Sequence, residues 1–184
     1  MLLALAGVTG IGKSYYTNKI VEKFGFERLK ILTTRKPREG EKNGVDKIFV
    51  NSKELQNLRD NGKIGFEFDL LGFTYAYMKD DLFSDKNKVF ELHYSTIFDF
   101  KKVCPNLYTI YLLPKDIEIA KDNTRMRNLE PTIEKNRLLE IDEHYNRITT
   151  DENLRKQFDC ILYNNYNETS EKEIIDLVTS LLNQ

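Results

Sequence analysis

The sequence has few cysteines, no surplus of either charge and no long apolar run, and each shortage excludes a class of function. Its two cysteines, Cys104 and Cys160, lie far apart and form neither a Cys-x-x-Cys pair nor any metal-ligand spacing. Two buried free thiols in a reducing compartment are expected, rather than a disulfide framework or a zinc knuckle. Lysine and arginine number 28 against 29 aspartates and glutamates, a formal net charge of -1, so the chain lacks the polycationic footprint of a nucleic-acid binder. Any anionic ligand must be held by a local cluster. The opening MLLALAG is too short for a signal-peptide core, and no later stretch approaches a membrane-spanning length. The expectation is a cytoplasmic protein with no membrane partner. No repeat or low-complexity tract stands out, and 184 residues suit one domain, 1–184, with a small insertion.

What is present is an alternation of strands and helices. Leu2 to Ala6 is a short apolar run, followed by a glycine loop and by helical spacing from Tyr15 to Phe24. Leu29 to Thr33, Val89 to Leu92, Tyr108 to Leu113 and Asp159 to Tyr163 read as further core strands. Helices are expected over Thr96 to Val103, Ile117 to Arg127, Thr132 to Ile148 and Glu171 to Leu182. This order predicts an α/β fold, a parallel sheet covered on both faces, with ligands beyond the carboxyl ends of its strands. Residues 36–78 break the pattern with short aromatic-rich strands (KIFV, IGFEFDLL, GFTYAYM) around a helix, Ser52 to Arg59, capped by Ser52. This segment is read as a small mixed lobe, the natural place for an acceptor pocket.

Gly7-Val8-Thr9-Gly10-Ile11-Gly12-Lys13-Ser14 completes the pattern G-x-x-x-x-G-K-[ST] between a strand and a helix. Its glycines let successive N–H groups face phosphate oxygens. Lys13 supplies charge at the transferring phosphates, and Ser14 is the expected Mg²⁺ ligand. Gly7, Thr9, Gly10, Ile11, Gly12, Lys13, Ser14 and the adjoining Tyr15 form the expected ATP-binding set. The second strand exits into Thr33-Thr34-Arg35-Lys36-Pro37-Arg38-Glu39-Gly40-Glu41, with two guanidinium groups three residues apart whose rigid forks suit phosphate.

At this point the chain resembles the guanylate kinases and their relatives. The resemblance rests on the phosphate loop, TTRKPREGEKNGVDKIFV, GFTYAY, and a late arginine-containing region before a strand ending in Asn164. It implies a P-loop kinase fold with an acceptor-binding insertion and a helical lid near residues 121–145. It implies that Arg35 and Arg38 grip the phosphate of a nucleoside monophosphate, with the Tyr75 hydroxyl on the same group. Arg125, Arg127 and Arg137 match its lid and transfer arginines. Asn164 resembles the residue that meets the adenine edge, although Asn164-Asn165-Tyr166-Asn167 is equally good turn chemistry.

The departures fall where the acceptor's base would be read. Ile31 and Lys47 replace a serine and a tyrosine, and Tyr77 stands where a small hydroxyl would contact guanine. The base-reading glutamate matches Phe66 without a gap, whereas Glu67 reaches that place only with a one-residue deletion. In a strand that slip changes the face. The family's aspartate pair becomes Glu91-Leu92-His93, where Glu91 can support the magnesium shell, and His93 either packs at the pocket rim or touches the ligand.

The function implied is ATP- and Mg²⁺-dependent phosphoryl transfer to a small phosphorylated acceptor, first of all GMP, by a monomer or homodimer. Catalysis would rest with Lys13, Arg125, Arg127 and Arg137. The acceptor would be held by Arg35, Arg38, Glu67, Tyr75, Tyr77, Glu91 and His93. Another nucleotide or a phosphorylated sugar as acceptor, and a noncatalytic binding module, are the alternatives.

Overall fold

The computed structural model describes residues 1–183 apart from Arg38, Glu39 and Asp46. Its centre is a five-stranded sheet built from β1 (Leu2–Gly7), β2 (Glu27–Arg28), β7 (Lys88–Glu91), β8 (Leu107–Pro114) and β9 (Cys160–Asn164) in the order β2-β7-β1-β8-β9. Every pairing in it is parallel. Parallel strands need crossovers that cover both faces, so the strands are apolar on both sides. In β1, Leu3 and Leu5 face one core cluster and Ala4 and Ala6 the other. The small side chains at Ala4 and Ala6 sit beside Phe90 and Tyr111 on the neighbouring strands, which leaves room for those rings.

The Leu3 and Leu5 face is covered by α1 (Lys13–Phe24), α5 (Ile117–Arg125), α6 (Pro131–Thr150) and α8 (Glu168–Leu182), through Ile20, Ala120, Ile141 and Ile174. The opposite face receives α4 (Ile97–Val103), the end of α6 and α7 (Glu152–Arg155) through Phe100, Ile148 and Leu154. Among the described residues no helix is long and apolar enough to cross a membrane.

Of the expected second core strand, Leu29 to Thr33, only Ile31–Thr33 is a strand, and it belongs to a second sheet. Residues 27–28 form β2 beside β7, whereas β3 (Ile31–Thr33) pairs in parallel with β4 (Ile48–Phe49) and antiparallel with β6 (Phe73–Met78). Together with β5 (Ile64–Leu70) these make a four-stranded sheet, β4-β3-β6-β5. Its outer face packs Leu32 and Ala76 on Leu55 of α2 (Ser52–Asp60). Its inner face carries Phe66 and Tyr77 into the main core against Phe90 and Phe100, and α3 (Lys79–Leu82) returns the chain to β7.

The cap of α2 is Asn51, one residue before the expected Ser52. Its side chain accepts from the Glu54 N–H at 2.9 Å, and the Glu54 carboxylate accepts from the Asn51 N–H at 2.7 Å, a reciprocal capping box. Both cysteines are free, as expected, but only Cys104 is fully buried.

Candidate active site

All five parallel strands point their carboxyl ends the same way, so Gly7, Glu91, Pro114 and Asn164 emerge at one edge of the sheet. The phosphate loop leaves β1 there. Gly7, Gly10 and Gly12 have φ of 143°, 82° and 91°, a region that side chains disfavour. Space demands glycine as well: a Cβ at Gly7 would lie 2.5 Å from the Leu112 carbonyl oxygen, and one at Gly10 2.2 Å from that of Ala120. Gly12 caps α1 and offers no side-chain acceptor to the first-turn N–H groups, which therefore remain for an anion. The Lys13 ammonium donates back to the carbonyls of Gly7 at 2.8 Å and Val8 at 2.9 Å. This cradle fits an anion such as a phosphate chain, and Ser14 stands exposed beside it at the start of α1.

Burial lowers the Lys13 pKa from its usual range, with Glu91 and Glu140 opposing the shift and Arg127 and Arg137 adding to it. Charged groups from β7, α6 and the α5–α6 connection thus all act on Lys13. Arg127 is exposed, whereas Arg137 pairs with Glu140 one helical turn along. Arg125 binds Asp122 on its own helix and stands apart from this group.

A layer of polar side chains holds the loop from behind. Asn164, 2% exposed, donates from Nδ2 to the Ile11 carbonyl at 2.8 Å. Its Oδ1 accepts from the Tyr16 hydroxyl at 2.8 Å and the Tyr166 N–H at 2.9 Å. Asn123 and the Tyr166 hydroxyl donate to the Gly10 carbonyl at 3.2 and 3.1 Å. Asn164 therefore spends its amide on the loop rather than presenting it to a base. Tyr15 turns its hydroxyl to Glu171 on α8, while Thr9 and Ile11 remain in the loop.

On the acceptor side, Arg35 is buried and donates to Glu41 Oε1 at 2.8 Å and to the Lys36 carbonyl at 2.7 Å, with its guanidinium 5.5 Å from the Phe49 ring centre. Burial would lower its pKa, but Glu41 and the nearby Tyr75 phenol raise it above the ordinary value. Tyr75 in turn stacks on Phe68, centroids 5.4 Å apart. Arg38 lies outside the described residues.

The register of β5 decides between Phe66 and Glu67. Phe66 opposes Tyr77 on the inner face, and Glu67 opposes Ala76 on the outer face, with a bulge at Gly65 setting the frame. Glu67 holds Arg59 of α2 through two bonds of 2.8 and 2.7 Å. This puts its side chain on the face opposite Tyr75, apart from the other residues of the expected acceptor set. Tyr77, named for the acceptor set, is 1% exposed and packed edge-on to Phe90 and Phe100 in the core.

Glu91 ends β7 near Lys13. His93 follows in a turn, its Nδ1 2.7 Å from the Ser95 hydroxyl, its ring 5.2 Å from that of His144. Burial, reinforced by His144, pushes the His93 pKa down to about 4, and burial lowers that of His144. Sequence reading overlooked Tyr16, Asn123, Tyr166, Glu41, Glu140 and His144. Only Glu140 and His144 carried a local signal, four residues apart on one helix face. A cavity of about 400 Å³ lined by Leu2, Leu82, Lys86, Val103 and Cys104 opens at the amino-terminal edge of the sheet, away from this chemistry.

The comparisons with known proteins agree with the architecture. The guanylate kinase family model matches residues 1–181. The guanylate kinase of Lactobacillus delbrueckii subsp. bulgaricus is 34% identical over 136 residues, covering 71% of this chain and 67% of that protein. The guanylate kinase of Clostridioides difficile is 25% identical over 190 residues, covering 100% and 89%. Among solved structures, the guanylate kinase from Anaplasma phagocytophilum superposes with a TM-score of 0.70 at 20% identity, over 100% of this chain and 84% of the other. Shikimate kinase from Bacteroides thetaiotaomicron gives 0.52 at 11%, over 100% and 99%, a likeness of fold alone. Because the family match takes in both the phosphate loop and the smaller sheet along almost the whole sequence, this chain belongs to the guanylate kinase family.

Proposed function

We propose that the chain transfers the terminal phosphoryl group of ATP to the phosphate of a nucleoside monophosphate, with GMP the acceptor its relatives' names indicate. The observation that carries this reading is a glycine loop with no room for a Cβ at Gly7 or Gly10, which holds Lys13 within electrostatic reach of Arg127 and Arg137. Lys13 exchanges its two loop carbonyls for phosphate oxygens, and the α1 N–H groups hold the same anion. Arg35, oriented by Glu41 and Phe49, grips the acceptor phosphate together with Tyr75, and Arg38 joins it. Mg²⁺ bound with ATP supplies charge at the phosphate oxygens, with Ser14 as its protein ligand. An acceptor phosphate is already nucleophilic near neutral pH, so these residues need only align it and offset charge. Residues 36–78 serve as the acceptor lobe, and residues near 121–145, carrying Arg127 and Arg137, as the lid that excludes water.

One observation favours a second acceptor class. Phe66 and Tyr77 fill the inner face where a base would be read, and Glu67 faces away. A phosphorylated sugar or a different nucleotide makes less demand on that face. ATP-dependent product formation across GMP, dGMP, AMP, UMP, CMP, dTMP and ribose phosphates, with Lys13→Ala as control, separates the readings. Dominant turnover of GMP, reduced at least about 100-fold in the variant, supports the first. A better acceptor elsewhere supports the second, and failure to bind MgATP at millimolar concentration overturns both.

A further inference from the structure

Two histidines and a glutamate that the phosphoryl-transfer reading leaves unexplained meet beside the phosphate loop. His93 follows β7, while Glu140 and His144 lie one turn apart on α6, and one potential ligand atom from each lies within 4.8 Å of the others. We propose that His93, Glu140 and His144 bind a divalent transition-metal ion of the zinc class, tying α6 to the end of β7.

The donor set selects the ion. Two imidazoles and one carboxylate suit Zn²⁺ or Co²⁺, whereas Mg²⁺ and Ca²⁺ require oxygen ligands throughout. Three protein donors complete all but one position of a tetrahedral shell, which leaves the last for water. The surroundings orient the rings. Nδ1 of His93 lies 2.7 Å from the Ser95 hydroxyl and also faces the Ser95 N–H at 3.3 Å; the tautomer that frees Nε2 for an ion is the one in which Nδ1–H donates to that hydroxyl, the support that ligating histidines use. His144 is held edge-on by Tyr94, centroids 4.4 Å apart, and lies 8% exposed.

Closure requires a modest movement. Bonds of about 2.0–2.1 Å in a tetrahedron place ligand atoms about 3.3 Å apart, so the 4.8 Å span contracts by roughly 1.5 Å, within reach of the half-buried Glu140 side chain. The present partner of Glu140 is Arg137. Ion and guanidinium compete for one carboxylate, and Lys13 and Arg137, whose charges reach both rings, oppose a dication. Removing the Arg137 charge therefore tightens the site.

The test uses the full chain, stripped with chelator and free of nucleotide, titrated with Co²⁺ by visible absorption and with Zn²⁺ by calorimetry. One ion per chain at micromolar affinity is expected, with Zn²⁺ displacing Co²⁺ and millimolar Mg²⁺ leaving it bound. His93→Gln, Glu140→Gln and His144→Gln should each weaken binding at least about tenfold, and Arg137→Ala should strengthen it several-fold. His144 is the most buried of the three, so the half-buried Glu140 and His93 variants, checked by circular dichroism, decide the matter if His144→Gln misfolds. Absence of a stoichiometric ion below millimolar concentration would overturn the proposal. So would binding that survives these substitutions and is lost in Cys104→Ala or Cys160→Ala. None of these readouts depends on which acceptor is phosphorylated.

Discussion

Replacing Asn164 by alanine distinguishes a buttress of the phosphate loop from a reader of the adenine base. The side chain makes three hydrogen bonds of 2.8, 2.8 and 2.9 Å, to the Ile11 carbonyl, the Tyr16 hydroxyl and the Tyr166 N–H. A net contribution of about 1 kcal/mol each gives about 3 kcal/mol, and more if the orphaned groups stay out of reach of water. For a chain of this length that lowers Tm by about 6–12 °C. Urea unfolding of Asn164→Ala should report the same loss, and Tyr16→Phe, which removes one of the three bonds, should lose about a third of it. Asn164→Asp keeps both acceptor contacts but sets a carboxylate oxygen against the Ile11 carbonyl, so it should not restore stability. Slackening the loop should raise KM for ATP without favouring another nucleotide. A variant that melts within about 2 °C of the parent while accepting GTP as readily as ATP would refute this reasoning and return Asn164 to the base.

Three further outcomes bear on other parts of the molecule. Glu67→Gln should leave the acceptor KM within about twofold and cost under about 1 kcal/mol, since its partner Arg59 is half-exposed; a tenfold rise in KM would put Glu67 back in the acceptor site. Gly10→Ala forces a Cβ to 2.2 Å from the Ala120 oxygen at φ +82° and should cost at least about 2–3 kcal/mol. Gly40→Ala, at φ +80° with nothing within 4 Å among the described residues, should cost only about 1 kcal/mol of backbone strain, and equal losses at the two sites would show that the close approach is unimportant. Hydrogen bonds from Lys86 and Lys88 hold the Glu27 pKa down to about 2 from 4.5. Its folded value lies below its unfolded one, so its contribution to stability is complete above about pH 4.5 and disappears as pH falls towards 2. The Tm difference between the parent and Glu27→Gln should accordingly shrink in acid, and a gap that widens there would contradict the pairing.

The strand, loop and helix around Gly12-Lys13-Ser14 were legible in the sequence, because a phosphate loop is a local object. Its glycines, its lysine and the helix that follows are contiguous, and the apolar runs of β1, β7, β8 and β9 are long enough to announce a sheet buried on both faces. The pairing of Arg35 with Tyr75 was approached through the resemblance and brought about by the alignment of β3 with β6. What sequence could not settle were the choices that depend on register and on partners distant in the chain. Leu29 to Thr33 reads as one core strand, yet only Ile31–Thr33 is a strand, and pairing with β6 draws it into the second sheet. Phe66 and Glu67 are neighbours, and only the bulge at Gly65 determines which of them turns inward. Asn164 lies 153 residues from the Ile11 carbonyl it supports, and His93 meets Glu140 and His144 only because α6 crosses the end of β7. The sequence by itself determined the chemistry at the phosphate loop, where function needs residues adjacent in the chain. Tertiary structure alone decided which side chains face the acceptor and which hold the loop, because strand register and helix packing act between segments that carry no local record of one another.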